Sequence, residues 1–119
     1  MKYPPGDRSH IPARLQPIVD ILTRELDHLR QVVPPQQGKL VAETEKRLNL
    51  LFDMVNNETL SPSSAQRVLE ICQAIAARDQ PKALDLHFAL ITAAPPAPDV
   101  APFQAALKLL VQRMQQPTQ

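Results

Sequence analysis

Residues 15–35 read LQPIVDILTRELDHLRQVVPP and carry a strong helical signal. Their apolar side chains recur at alternating spacings of four and three residues, which places them on one face of a helix. The members of this face are Leu15, Val19, Leu22, Leu26, Leu29 and Val33. Pro17 suits a first helical turn, where its missing N–H needs no partner, whereas Pro34 and Pro35 cannot continue a helix. The stretch therefore predicts an amphipathic helix that begins near residue 16 and ends near residue 33.

Proline punctuates the rest of the chain in the same way. The 13 prolines are clustered, and the intervals between the clusters repeat the helical spacing of apolar residues. Ser61 followed by Pro62 is a strong start signal, an N-cap with proline at the first helical position. The remaining helices are predicted over about 38–57, from about 61 to 76, from about 79 to 91, and over about 102–115.

These intervals predict an all-α fold, a compact bundle of about five short helices. No stretch combines alternating polarity with β-branched residues, which argues against strands. The bundle is expected to span residues 16–116, behind an extended, proline-containing arm at residues 1–15. The proline-rich stretch 93–102, AAPPAPDVAP, is expected to be stiff and non-helical.

Two helices raise the question of which face is buried. In the second, the stripe that contains Leu48 is predicted to face the core, while Leu50 and Met54 fall well to one side of it. Either this helix is central and buried on more than one side, or Leu50 and Met54 form an exposed strip that receives a partner. In the fourth helix, the residues predicted to face the core are Leu84, His87, Phe88 and Ile91.

Composition restricts the class of protein. In 119 residues, 13 Lys and Arg oppose 12 Asp and Glu, so the formal net charge is +1. A protein that mainly grips nucleic-acid phosphates or an anionic membrane needs a larger basic excess. One cysteine excludes an internal disulfide, and the first 15 residues lack the apolar core of a signal peptide. We therefore expect a soluble, cytosolic domain.

Candidate chemistry is sparse. Glu25 and His28 have the E-x-x-H spacing of di-metal helical bundles, but no second pair occurs, so both are predicted to lie on a solvated face. Cys72 with His87 could form a nucleophile and base, yet Cys72 lies in register with core residues and is predicted to be a buried thiol. His87 is predicted to be a neutral core histidine bonded to a carbonyl or carboxylate. We expect no catalytic residue, metal or cofactor, and hence no enzyme.

Residues 46–90, KRLNLLFDMVNNETLSPSSAQRVLEICQAIAARDQPKALDLHFAL, resemble a known helical domain. It is shared by the C-terminal end of the larger outer-coat subunit of the COPII vesicle coat and by the steroid receptor RNA activator protein. The similar positions are Lys46-Arg47-Leu48, Leu51-Phe52-Asp53, Leu60-Ser61, Ala74-Ile75, Arg78-Asp79, Ala83 and His87. The arm YPPGDRSHIP, residues 3–12, and the segment PIVDILTREL, residues 17–26, resemble fungal versions of the coat subunit more closely.

The resemblance implies a non-catalytic module of the COPII outer coat, acting in transport from the endoplasmic reticulum to the Golgi. Its partners would be other outer-coat subunits, namely their propeller and α-solenoid rods, with no small-molecule substrate. It would be cytoplasmic, at endoplasmic reticulum exit sites and COPII vesicles, and would reach the membrane only through the coat. The candidate partner contacts in this sequence are Lys2, Arg8, Arg14, Leu50 and Met54. The alternative is a transcription coregulator or RNA-binding domain of the steroid receptor RNA activator type, which the near-neutral charge disfavours.

Overall fold

The computed structural model describes residues 2–93 and 97–114. Within these residues the chain forms five α-helices and no strand. The helices are α1 (Gln16–Val32), α2 (Gly38–Asn56), α3 (Pro62–Ala76), α4 (Gln80–Ile91) and α5 (Gln104–Arg113). Short 3-10 turns lie at Ala13–Leu15, Pro35–Gln37 and Pro98–Val100. The all-α prediction is confirmed. Residues 94–96 of the predicted linker and residues 115 and 116 of the predicted bundle lie outside the described residues.

Prolines and polar caps set several helix boundaries, as the sequence predicts. Pro17, Pro62 and Pro81 each lie in the first turn of a helix. The Ser61 hydroxyl oxygen accepts a hydrogen bond from the Ser64 N–H at 3.3 Å and so caps α3. Val33 is extended, since a residue that precedes proline is driven out of the helical region, and α1 ends there.

Two helices are each followed by a non-glycine residue in the left-handed region of backbone conformation. Glu58 follows α2 with φ of 55°, and Arg78 follows α3 with φ of 59°. In both turns the next N–H bonds a carbonyl five residues back, Thr59 to Met54 and Asp79 to Ala74, each at 2.9 Å. This is the Schellman pattern, which usually uses glycine at the left-handed position. Both turns therefore carry backbone strain that glycine would relieve.

The helices pack around one aliphatic core. Helix α3 contacts α1 and α4, α4 also contacts α5, and α5 contacts α1 and α2. Leu48 and Leu107 are fully buried, as predicted from their positions on apolar stripes, and Phe103 is the largest fully buried side chain. Within the described residues, no helix is both long enough and apolar enough to span a bilayer.

The segment before α5 is fastened to the start of α3. The Asp99 carboxylate accepts hydrogen bonds from the Ser61 N–H at 2.9 Å and the Ser64 hydroxyl at 3.0 Å. Partial burial opposes ionisation of this carboxyl, but the bonds from Ser61 and Ser64 outweigh it and lower the pKa of Asp99. A negative charge here also complements the positive end of the α3 dipole. Asp99 therefore ties two parts of the chain together.

The buried face of α4 differs from the prediction. Ala83, His87 and Leu90 face the core, whereas Leu84, Phe88 and Ile91 are 39%, 65% and 45% exposed. The prediction was wrong for these three residues because α4 is apolar on two sides and spacing alone does not choose between them. The side that carries Ala83, His87 and Leu90 is buried, and α4 packs against α3 and α5.

The predicted solvated position of Glu25 is also wrong. Its side chain is only 3% exposed, and one carboxylate oxygen lies 2.5 Å from the Arg78 guanidinium, whose side chain is 28% exposed. The pair joins α1 to the turn after α3, and Glu25 sits one turn before the core residue Leu29. Because Arg78 is 53 residues away from Glu25 in sequence, no local sequence pattern predicts this ion pair. His28, by contrast, is half-buried.

Candidate functional site

The N-terminal arm lies against the C-terminal half of α2 and is held there by polar contacts. Three backbone N–H groups of the arm donate to side chains of α2 and its C-cap: Tyr3 to Asn57 at 2.5 Å, Gly6 to Asp53 at 3.0 Å, and His10 to Asn56 at 2.8 Å. The three accepting side chains are buried. Because a buried polar group without a partner costs free energy, the arm and these side chains satisfy one another.

Asp7 is the centre of the arm's own turn. Its carboxylate accepts hydrogen bonds from the Ser9 hydroxyl at 2.7 Å and from the Asn56 amide at 3.1 Å, and it faces His10 Nδ1 at 2.9 Å. The bonds from Ser9, Asn56 and His10 hold the pKa of Asp7 well below its usual range. The preceding residue, Gly6, has φ of 89°, a conformation that side chains disfavour, so glycine permits this turn.

All three predicted basic contacts lie in the arm, Lys2 and Arg8 in the part that packs on α2 and Arg14 near its end. The Arg8 guanidinium donates to Asp53 at 2.7 Å and lies 5.3 Å from the centre of the Phe52 ring, so much of its charge is compensated within the molecule. Lys2 is exposed, with its ammonium group 5.6 Å from the centre of the Tyr3 ring. Lys2 therefore presents its charge to solvent, whereas Arg8 fastens the arm.

Arg14 and the two predicted apolar contacts, Leu50 and Met54, lie on one side of the bundle. Arg14 and Met54 line a single depression of about 410 Å³, between the end of the arm, α2 and the start of α3. Leu50 is one helical turn before Met54 and is 40% exposed. Arg14 is exposed and donates to the Gln66 side chain at 3.1 Å. The structure thus brings Arg14 and Met54 together although they are 40 residues apart in sequence, and Leu50 lies one helical turn from Met54.

The remaining candidates, Cys72 and His87, both lie in the interior of the bundle. Cys72 is fully buried, and this burial raises the pKa of its thiol. His87 is buried, and its Nε2–H donates to the Gln104 carbonyl at 2.8 Å, as the sequence predicts. No cluster of three or more His, Cys, Asp or Glu suited to a metal ion occurs in the described ranges.

Sequence reasoning missed two features of the surface. The outward ridge of α4, formed by Leu84, Phe88 and Ile91, was assigned to the core because its spacing is that of a core stripe. The surface of α2 that binds the arm was also missed, although Asp53 and Asn57 lie four residues apart, beside the apolar stripe of α2. That spacing of polar residues was the available signal, but it does not identify the segment that they bind.

Comparison with known proteins places the chain beside a fungal transport protein. It is 40% identical over 114 residues, 96% of its length, to "Protein transport protein SEC31" of Mycosarcoma maydis. It is 44% identical over 92 residues to the protein of that name from Coccidioides immitis, and 40% identical over 92 residues to the one from Schizosaccharomyces pombe. The chain spans only 7–8% of the length of these relatives. No family model and no solved structure matches the chain. Over most of its length, therefore, this chain is similar to one short segment of fungal Sec31 protein transport proteins.

Proposed function

We propose that the chain is a non-catalytic protein-interaction domain of the COPII outer coat, with the bundle at residues 16–116 and the arm at residues 1–15. It strengthens the coat cage in transport from the endoplasmic reticulum to the Golgi, on the cytoplasmic side of exit sites and vesicles. The observation that carries this proposal is the 40% identity to the fungal protein across 96% of the chain. The partners are the propeller and α-solenoid rods of other outer-coat subunits, and no cofactor or small-molecule substrate is needed.

The contact surface that we propose is the side carrying Arg14, Leu50 and Met54, with Lys2 at the start of the arm. Leu50 and Met54 supply apolar area, and Arg14 supplies a charge that orients a partner. The anchoring of the arm by Asp53 favours this use, since it holds the arm against the bundle and limits the conformational entropy lost on binding. A contact made by so few side chains is weak by itself. Many such contacts joined by flexible tethers can hold a lattice together, because each tether raises the effective concentration of the next contact.

The test is to mix the purified chain with outer-coat rods that lack the corresponding segment and to measure co-sedimentation. We expect association that Arg14→Glu and Leu50→Asp both weaken. The matched controls are Arg24→Glu and Val32→Asp, because Arg24 is an exposed cation and Val32 is a 55% exposed apolar residue, both on α1. Failure of the chain to associate at high concentration and low salt would refute the proposal, as would equal losses in the control variants.

RNA binding provides a second readout of the same proposal. The 13 Lys and Arg are nearly balanced by 12 Asp and Glu, and Arg8 is paired to Asp53, so the chain offers little excess positive charge for phosphate contacts. We therefore expect no specific shift of a structured RNA in a gel-shift assay at physiological salt. A specific complex whose affinity falls steeply with salt would contradict the coat assignment.

A further inference from the structure

A second depression lies between the first half of α2 and α5, separate from the one that Arg14 and Met54 line. It is an open groove of about 720 Å³, the size of a binding cleft rather than a packing defect. Its apolar lining includes Leu40 from α2, Ile91 from the end of α4, and Ala105 and Leu109 from α5. Small side chains on the α5 wall leave room for another backbone to approach closely.

The charges along this groove are unequal. On the α2 wall, Arg47 donates to Glu43 at 3.0 Å, so these two charges compensate each other. On the opposite wall Lys108 is exposed, and no ion pair to it occurs within the described residues. Helix α5 contains Lys108 and Arg113 but no acidic residue. The lining therefore mixes apolar side chains with polar ones, and among its described residues Lys108 is the one uncompensated charge, which complements an amphipathic ligand that carries a carboxylate.

The outward ridge of α4 extends the groove. Leu84, Phe88 and Ile91 follow one another at spacings of four and three residues, and Ile91 itself lines the groove. Large apolar side chains that are continuous with a cleft mark an interaction surface more strongly than scattered ones do. Through Ile91, the exposed ridge of α4 is continuous with the apolar part of the groove lining.

We propose that this groove binds an amphipathic helix of a partner protein, with apolar anchors spaced i, i+4, i+7 and a carboxylate that faces Lys108. The helix-in-groove mode matches an open cleft with both apolar and polar lining residues, and the charge of Lys108 favours an acidic helix over a basic one. This inference goes beyond the proposed function, because the groove lies between α5 and the N-terminal half of α2, whereas Leu50 and Met54 lie in the C-terminal half of α2 and Arg14 lies beside Met54. A module with two separate contact sites can join two pieces of an assembly.

The test uses a fluorescein-labelled helical peptide of about 14 residues, long enough for three to four turns, with leucines at i, i+4 and i+7 and flanking glutamates. A second peptide carries lysines in place of the glutamates. Fluorescence anisotropy with the whole chain should show that the acidic peptide binds more tightly. Lys108→Glu should weaken that binding by about 3- to 10-fold, while the exposed control Arg24→Glu should leave it unchanged.

A matched pair of substitutions, at Ile91 and Val32, tests the apolar part of the groove. Ile91 and Val32 are each the last residue of a helix, β-branched, and 45% and 55% exposed. Ile91→Ser should weaken binding of the acidic peptide, and Val32→Ser should not, with thermal unfolding checked for both variants. The proposal is overturned if neither peptide binds, if both bind equally, or if the control variants lose as much affinity. It is also overturned if sedimentation shows a dimer of the chain that Ile91→Ser dissociates, because the groove would then hold a second copy.

Discussion

Removing either partner of the Glu25–Arg78 pair should destabilise the fold, but by unequal amounts. In Arg78→Ala, the Glu25 carboxylate, which is 3% exposed in the folded chain, loses the partner that compensates its charge. An uncompensated buried charge typically costs about 3–5 kcal/mol. In Glu25→Ala, Arg78 keeps its 28% exposure and can turn toward water, so we expect a cost of about 1–2 kcal/mol. The left-handed φ of Arg78 does not affect the comparison, because alanine carries the same strain there.

The assay is urea unfolding of both single variants and the double variant, followed by far-ultraviolet circular dichroism. The double variant should be less destabilised than the sum of the two single ones, because it leaves no unpaired charge. A conservative control, Glu25→Gln, removes the charge while it preserves the shape. The reasoning is refuted if Arg78→Ala lies within about 0.5 kcal/mol of the wild type, or if Glu25→Ala is the more damaging change.

Three other predictions follow from the described contacts. Glu58→Gly should stabilise the chain by about 0.5–1 kcal/mol in urea unfolding, because glycine removes the strain at φ of 55°; a loss of stability would contradict the assignment of that turn. Asp53→Ala should release the arm, which trypsin cleavage after Arg8 would report as faster proteolysis; an unchanged cleavage rate would show that the arm is held otherwise. Lowering the pH from about 4 should reduce the free energy of unfolding. The pKa of Asp99 in the folded chain lies below its unfolded value of about 3.9. The stabilisation that Asp99 contributes is therefore present above that unfolded value and is lost as the pH falls through the folded pKa. Asp99→Asn should make this acid loss shallower, and an unchanged pH profile would show that Asp99 is not responsible.

Local signals in the sequence predicted most of the fold. Proline positions and apolar spacing gave helix limits close to the observed ones, for example 38–57 against the observed Gly38–Asn56. The N-cap at Ser61 and the buried states of Cys72 and His87 were predicted correctly for the same reason. Each of these depends on neighbours within one or two helical turns, which is the range over which sequence patterns are informative.

What failed depends on contacts between distant parts of the chain. Glu25 is buried because Arg78 approaches it from the turn after α3. Phe88 is exposed because the other apolar side of α4 packs on α3 and α5, a choice that only tertiary packing makes. The bond from Arg8 to Asp53 was not foreseen; the Arg8 side chain remains 26% exposed, so its role as a partner contact is still a prediction. A role for Lys2, Arg14, Leu50 and Met54 in binding remains a prediction.

The most direct test of the coat assignment is the position of this domain in an assembled coat. Electron cryotomography of outer coats built with and without the segment should give a difference density on or between the rods, with dimensions near 41 × 29 × 24 Å. The density should place the Arg14 and Leu50 side against a rod. Intact rods and cages without such a density, or a density on an unrelated component, would contradict the assignment.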